Sequence, residues 1–213
     1  MRNHYLAVGN FLGQLRFHYK EIGALAPSSR FLAQELAWNL RQPRGPMRIL
    51  EAGPGTGVVT VALVKAMQPG DRLDVVEINA QFVKFLRHRI ASESVFAPHR
   101  ERIQVIHAAL ESLPETGVYD ALVSGLPLNG FPTSLVRTIL AAYDRLLRPG
   151  GTLSYFEYIA VRYLQRPLAD RAKRRRLYKL NKWFTERIRE RQFRQRAILA
   201  NFPPAWVRHL RRP

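Results

Sequence analysis

The 213 residues suffice for one α/β domain with appendages. With no cysteine, disulfides and thiolate metal sites are excluded, and no apolar stretch reaches the roughly 18 residues a membrane-spanning helix requires. The formal charge of +18 is uneven: residues 162–213 hold 17 of the 34 Lys and Arg against three acids (Asp170, Glu186 and Glu190), and that surplus predicts a polyanionic partner, nucleic acid or anionic lipid.

Residues 4–25 read as an amphipathic helix. Tyr5, Val8, Leu12, Leu15, Tyr19 and Ile22 recur at steps of three and four and form one apolar stripe, with Arg2, Arg16 and Lys20 away from it. Such a stripe can lie on the domain's own core or among lipid acyl chains, and reversible docking allows both. Met1-Arg2-Asn3-His4-Tyr5 lacks the apolar core and cleavage site of a signal peptide, so a cytoplasmic protein is expected. Pro27-Ser28-Ser29 precedes a second helix over 30–40, with Ser28 or Ser29 as N-cap.

After the loop Gln42-Pro43-Arg44-Gly45-Pro46, strands are predicted at 47–51, 73–77, 103–107, 119–124 and 152–158, and helices at 57–67, 80–91 and 134–147. This alternation predicts an α/β, Rossmann-like fold: a mostly parallel sheet with helices on both faces. From Arg162 to Arg196, Leu177, Leu180, Phe184 and Ile188 keep a helical period among many cations, which predicts one long basic helix or two shorter ones and a binding surface. The organisation is then an N-terminal helical region (1–42), a Rossmann-like core (43–161), a basic helical insertion (162–200) and a C-terminal segment (201–213), in a single domain.

Strand 47–51 runs into Glu51-Ala52-Gly53-Pro54-Gly55-Thr56-Gly57 and then Val58-Val59-Thr60-Val61. Strand, glycine-rich turn and helix let a nucleoside-bearing cofactor lie against bare backbone, because the chain turns sharply and no Cβ blocks the ligand. A dinucleotide fingerprint would place its third glycine at 58, where this chain has valine. The G-x-G-x-G spacing, with an acid two places before the first glycine, favours S-adenosylmethionine over NAD. Glu51 can orient the methionyl ammonium, and Gly53, Pro54, Gly55, Thr56 and Gly57 form the cradle. Glu77, twenty residues beyond Gly57, can accept from both ribose hydroxyls, with Ile78 beside it. The turn after strand 103–107 carries Ala109 and Leu110 where an acid would bind the adenine amino group, so backbone or Glu111 must substitute. His107 reads more readily as structural than catalytic. No metal site is expected.

Methyl transfer from a sulfonium is an in-line displacement, so positioning and desolvation dominate. Ser124-Gly125-Leu126-Pro127-Leu128-Asn129 closes the fourth strand at the carboxyl edge, where its carbonyls can accept from an acceptor N–H. Ser124, Gly125 and Leu126 are therefore candidates beside the acceptor nitrogen. A protonated amine acceptor must lose its proton before it is nucleophilic, and Tyr19, Glu157 and Tyr158 are candidates to assist; the aromatic rings can also hold a methylated ammonium.

Gly23-Ala24-Leu25-Ala26-Pro27-Ser28-Ser29, the Glu51–Gly57 loop, Glu77-Ile78-Asn79 and Ser124-Gly125-Leu126-Pro127-Leu128 together resemble the bacterial phospholipid N-methyltransferases. The resemblance covers about Phe17 to Tyr158, with a weaker match at Pro203-Pro204-Ala205. It implies a peripheral class I enzyme that takes phosphatidylethanolamine through mono-, di- and trimethylated products towards phosphatidylcholine, releasing S-adenosylhomocysteine. It implies attachment by the N-terminal helix to the inner face of the cytoplasmic membrane, and places Ser28 near the methionyl end. The chain departs from that family at Ala109, where aspartate is common, and in its basic 162–196 stretch, which can strengthen binding to anionic lipid.

Two other readings compete. RNA adenine-N6 methyltransferases share the acidic glycine loop but end the fourth strand in Asn-Leu-Pro plus an aromatic ring. Here Gly125 replaces the asparagine and Leu128 the ring, forfeiting about 1–3 kcal/mol of base stacking, so nucleic acid is the less favoured partner. A non-catalytic membrane-binding protein on the same fold is opposed by the intact loop and Glu77. Leu12→Asp combined with Leu15→Asp is expected to abolish liposome association while leaving cofactor affinity largely intact. Unchanged sedimentation with liposomes would remove the interfacial role of residues 4–25.

Overall fold

A computed structural model describes residues 29–128, 131, 133–159 and 190–213. The stripe at 4–25, with Tyr19, and Ser28 lie outside the described residues, as does 162–189 of the basic stretch. Apolar runs between amphipathic helices form five parallel strands: β1 (Arg48–Ala52), β2 (Arg72–Glu77), β3 (Ile103–His107), β4 (Tyr119–Ser124) and β5 (Leu147–Tyr158). Two more, β6 (Gln192–Ile198) and β7 (Ala205–Arg211), add as an antiparallel hairpin, giving the order β3-β2-β1-β4-β5-β7-β6. Buried on both faces, β4 is protected at every position, which is why it reads as one apolar run rather than an alternation.

Helices α1 (Arg30–Leu36), α2 (Val58–Val64) and α3 (Ala80–Ser92) belong to one face of the sheet, and α4 (Thr133–Leu146) to the other. Leu32, Leu36, Leu63 and Leu86 pack there with Ile49, Val75, Val123 and Phe156. On the opposite face Ile139, Tyr143 and Leu146 pack with Leu50, Leu122 and Tyr155. Fully burying one such leucine is worth roughly 1.5–3 kcal/mol. Ser29 caps α1, its Oγ accepting from Leu32 N–H at 3.2 Å. Among the described residues no helix is long and apolar enough to cross a membrane.

The hairpin corrects the reading of 192–196 as the end of a basic helix, and it makes most of the C-terminal segment 201–213 a strand. Its arginines are part of the reason. The buried Glu35 of α1 accepts from Arg194 at 2.8 Å and Arg196 at 3.3 Å, and the Arg194 guanidinium stacks 4.1 Å from the Trp38 ring centre. Burial alone would raise the Glu35 carboxyl, but these arginines hold it below its ordinary range. Cations three residues into a strand thus serve an acid on a helix far away in sequence.

His209 of β7 completes the cluster, fully buried, with Nδ1 2.8 Å from Ser154 Oγ and Nε2 3.6 Å from Glu35 Oε1. Burial pulls its imidazole down to about 4, with Glu35 opposing and Arg194 adding to the drop. In the unfolded chain the ring takes a proton near 6.5. Between these values the unfolded state binds the extra proton, so the contribution to stability is complete above pH 6.5 and is lost as pH falls towards 4. Chemical denaturation is expected to show a decline on the order of 3 kcal/mol across that window. The decline should flatten in His209→Gln; an unchanged profile would mean that His209 is not the titrating group.

Candidate functional site

The site is built where β1 and β4 end side by side. Gly125 N–H donates to Ala52 O at 2.8 Å, and a Cβ on Gly125 would lie 2.5 Å from Gly53 O. Gly53 itself has φ +70°, and a Cβ there would collide with Leu126 Cδ2 at 2.3 Å. Both positions therefore require glycine, one for its conformation and both for the close approach. The glycine loop and the 124–128 turn, read separately in the sequence, are one packed unit.

Glu51 is fully buried on β1, and neither carboxylate oxygen has a hydrogen-bond partner among the described residues. Burial pushes this carboxyl up to about 8, the Thr60 hydroxyl opposes the rise, and the charge of Glu77 adds to it. A buried acid with a hydroxyl beside it and no cation is a place where a cation fits. Glu77, also buried at the end of β2, is held by backbone: Oε1 accepts from Asn79 N–H at 2.9 Å and Oε2 from Gly55 N–H at 3.2 Å. Each oxygen keeps further acceptor capacity, which suits two vicinal hydroxyls.

Other residues hold the loop. Gly57 (φ +82°) precedes α2, and Arg89 of α3 donates to Thr56 O at 2.6 Å while paired with Glu93. Pro54 is buried, whereas Gly55 and Thr56 are half-buried. Ile78 is half-buried, its carbonyl 3.1 Å from His107 Nε2, which gives His107 a structural role. Ala108 N–H donates to Glu77 O at 3.2 Å, bringing Ala109 and Leu110 beside the end of β2. Both are buried, and the Ala109 carbonyl accepts from Ser112 Oγ at 2.7 Å. That wall is apolar. It can flank a flat ring and supplies no carboxylate; Glu111, half-buried, offers its carbonyl to Arg145.

The Ser124 hydroxyl is not available to a substrate. It is fully buried, accepting from Tyr143 Oη at 2.6 Å and from Leu126 N–H at 3.2 Å, so it clamps the turn from below. Glu157 and Tyr158 are neighbours in β5 and project to opposite faces. Tyr158 joins the core under α1, edge-on to Phe156 at 5.1 Å, whereas Glu157 lies 3.4 Å from Arg208 Nε. The structure does not bring them together as a pair around one proton. Arg89 and Tyr143 were not singled out in the sequence, because a lone arginine or tyrosine on a helix carries no local signal. Asn79 was singled out only with its neighbours and proves to cap α3, its Oδ1 accepting from Gln81 N–H at 2.9 Å.

The model of a methyltransferase domain matches residues 49–151, the span from β1 to the start of β5. An ornithine lipid N-methyltransferase of Singulisphaera acidiphila is 30% identical over 146 residues, 68% of this chain and 74% of that protein. A tRNA1(Val) (adenine(37)-N6)-methyltransferase of Aeromonas hydrophila is 29% identical over 50% of each chain. Among solved structures, the O-methyltransferase TomG of Streptomyces achromogenes, in complex with S-adenosylmethionine, superposes with a TM-score of 0.56 over 92% of this chain and 86% of its own, at 19% identity. That likeness is one of fold. The chain belongs to the class I S-adenosylmethionine-dependent methyltransferases.

Proposed function

We propose that the protein N-methylates the amine of a membrane aminolipid, with phosphatidylethanolamine and its mono- and dimethyl derivatives as acceptors, at the inner face of the cytoplasmic membrane. The observation that carries this reading is the 30% identity spread over 74% of a lipid N-methyltransferase. The 124–128 turn supports it. Leu128, at the position of a base-stacking ring in the RNA enzymes, is buried under α4 and presents no platform.

When bound, S-adenosylmethionine supplies an electrophilic methyl group on a sulfonium. Glu51 holds the methionyl ammonium as an ion pair inside the protein, Glu77 accepts from the ribose hydroxyls, and Ala109 and Leu110 flank the adenine. Gly53, Pro54, Gly55, Thr56 and Gly57 keep the cradle bare. Backbone carbonyls of Ser124–Pro127 orient the acceptor N–H groups, and the Ser124 hydroxyl keeps that turn in register. Fixing acceptor and donor on one rigid edge is the main catalytic contribution, since the displacement itself needs alignment and exclusion of water. Glu157 and Tyr158 lie on different faces at the end of β5, one beside Arg208 and the other in the core, so the proton of the ammonium is left to the carbonyls of the 124–127 turn or to solvent.

Two measurements test this. Labelled methyl from S-adenosylmethionine is offered separately to phosphatidylethanolamine liposomes with and without anionic lipid, to ornithine lipid and to unmodified ribosomal RNA. Label is expected in phosphatidylethanolamine; label in ornithine lipid alone moves the acceptor to another amine, and label in RNA alone overturns the lipid reading. Titration calorimetry tests Glu51. Because the empty site holds a proton up to about pH 8, cofactor binding must release it. Affinity should rise by up to about tenfold per pH unit as pH approaches 8. Glu51→Gln should bind at least about tenfold more weakly, as a buried charge-assisted contact requires, and should lose that slope. A slope retained in the variant would take Glu51 out of the ammonium site.

A further inference from the structure

The most exposed large apolar side chains among the described residues are Leu199 and Phe202, at 73% and 71%. They sit together on the turn that joins β6 to β7. Ala205 pairs with Tyr158 at the carboxyl end of β5, so this turn projects from the same edge of the sheet as the glycine loop and the 124–128 turn. From β1 to β7 is three strand spacings, about 14 Å. Phe31, 44% exposed, stands two residues beyond Ser29, which is itself bonded to the turn.

Several polar groups of the turn are paired inward. Asn201 is buried, accepting from Ser29 N–H at 2.8 Å and donating to Pro203 O at 2.7 Å. Pro204 O accepts from Ile159 N–H at 2.8 Å, and neither Pro203 nor Pro204 has an N–H to satisfy. A turn with two prolines, a buried and bonded Asn201, and leucine and phenylalanine pointing outwards has fewer polar groups to strip of water than an ordinary loop.

We propose that the Leu199–Pro204 turn is a wedge that enters the lipid interface and aims the carboxyl edge of the sheet at the membrane. The inference rests on the aminolipid reading for its biological purpose, though insertion can be measured without turnover. Continuity and charge favour lipid as the occupant. The turn is bonded to Ser29 and Ile159, the residues at which the apolar-striped stretch before it and the stretch 160–189 join the described fold. That second stretch holds 11 Lys and Arg against two acids, the composition attracted to an anionic leaflet. An apolar wedge beside such a stretch provides the second of the two signals that stable attachment requires.

The cysteine-free chain allows a direct test. Leu199→Cys and Phe202→Cys, each carrying an environment-sensitive nitrobenzoxadiazole label on the full chain, are mixed with vesicles of equal parts phosphatidylethanolamine and phosphatidylglycerol. A label at Thr116, exposed before β4 on the opposite edge, is the control. Blue-shifted, brighter emission at 199 and 202 but not at 116 is expected. Leu199→Asp with Phe202→Asp should weaken vesicle partitioning by about tenfold or more, since each large apolar side chain carries at least that much transfer free energy. Methyl transfer to a short-chain phosphatidylethanolamine below its micellar concentration should stay at the wild-type rate, which shows that the variant is folded.

Labels that do not respond to vesicles overturn the wedge, whether or not lipid is methylated. A shift produced by raising protein concentration alone overturns it as well, because a second copy then covers the turn. The aminolipid reading fails separately, through absence of methylation of both vesicle and short-chain acceptors by the wild-type chain. In that case an insertion signal still establishes the wedge as a membrane contact.

Discussion

The contact on which the site depends is the meeting of two backbones, Gly53 and Gly125, at the ends of adjacent parallel strands. A Cβ at 125 would stand 2.5 Å from the Gly53 carbonyl, so a side chain there would push the glycine loop away from the 124–128 turn. With both glycines in place the two loops lie in direct backbone contact. Their relative position is then set by the β1–β4 hydrogen-bond ladder rather than by loop flexibility. Displacement at a methyl group demands this kind of fixed separation, because misplacement of about 1 Å can cost a hundredfold in rate.

Around that contact, charge is arranged with unequal solvation. Glu77 is buried but accepts two backbone N–H bonds, so its geometry is complete before any ligand arrives. Glu51 is buried without such support, and its neutral form is favoured until a cation compensates. One acid is a finished structural element that also offers free lone pairs, and the other is an unmet electrostatic demand. The asymmetry follows from position: Glu51 sits within β1, covered on both faces, whereas Glu77 ends β2 where Asn79, the N-cap of α3, and Gly55 of the glycine loop supply N–H donors.

A second polar cluster, formed by Glu35, Arg194, Arg196, His209 and Ser154, ties α1 to the β6–β7 hairpin. Part of the basic surplus is matched by the fold's own acids: Arg194 and Arg196 in this cluster pair with Glu35, and elsewhere Arg191 pairs with Asp144 and Arg208 with Glu157. The Ser154, His209 and Glu35 side chains follow one another as in a hydrolytic triad. Ser154 and His209 are nevertheless closed off from solvent, at 2% and 0% exposure, and the arrangement serves packing. Net charge read along a sequence thus overstates what remains for a partner, because it cannot see which arginines are already matched.

The sequence by itself determined the parallel half of the sheet, the glycine cradle, Glu77 and the methyltransferase family. These features are local: an apolar run, a glycine spacing and a carboxylate at a strand end are written within a few residues of one another. The hairpin β6–β7 was not legible, since the alternation in Gln192-Phe193-Arg194-Gln195-Arg196 serves an edge strand whose arginines answer Glu35, more than 150 residues earlier. The closing of Ser124 by Tyr143, the latch of Arg89 on Thr56 and the pairing of Glu157 with Arg208 were decided only by tertiary structure. Each depends on which face of the sheet a side chain takes and what packs there. Neighbours on one strand are sent to opposite sides, and residues from separate strands and helices are brought within hydrogen-bond reach.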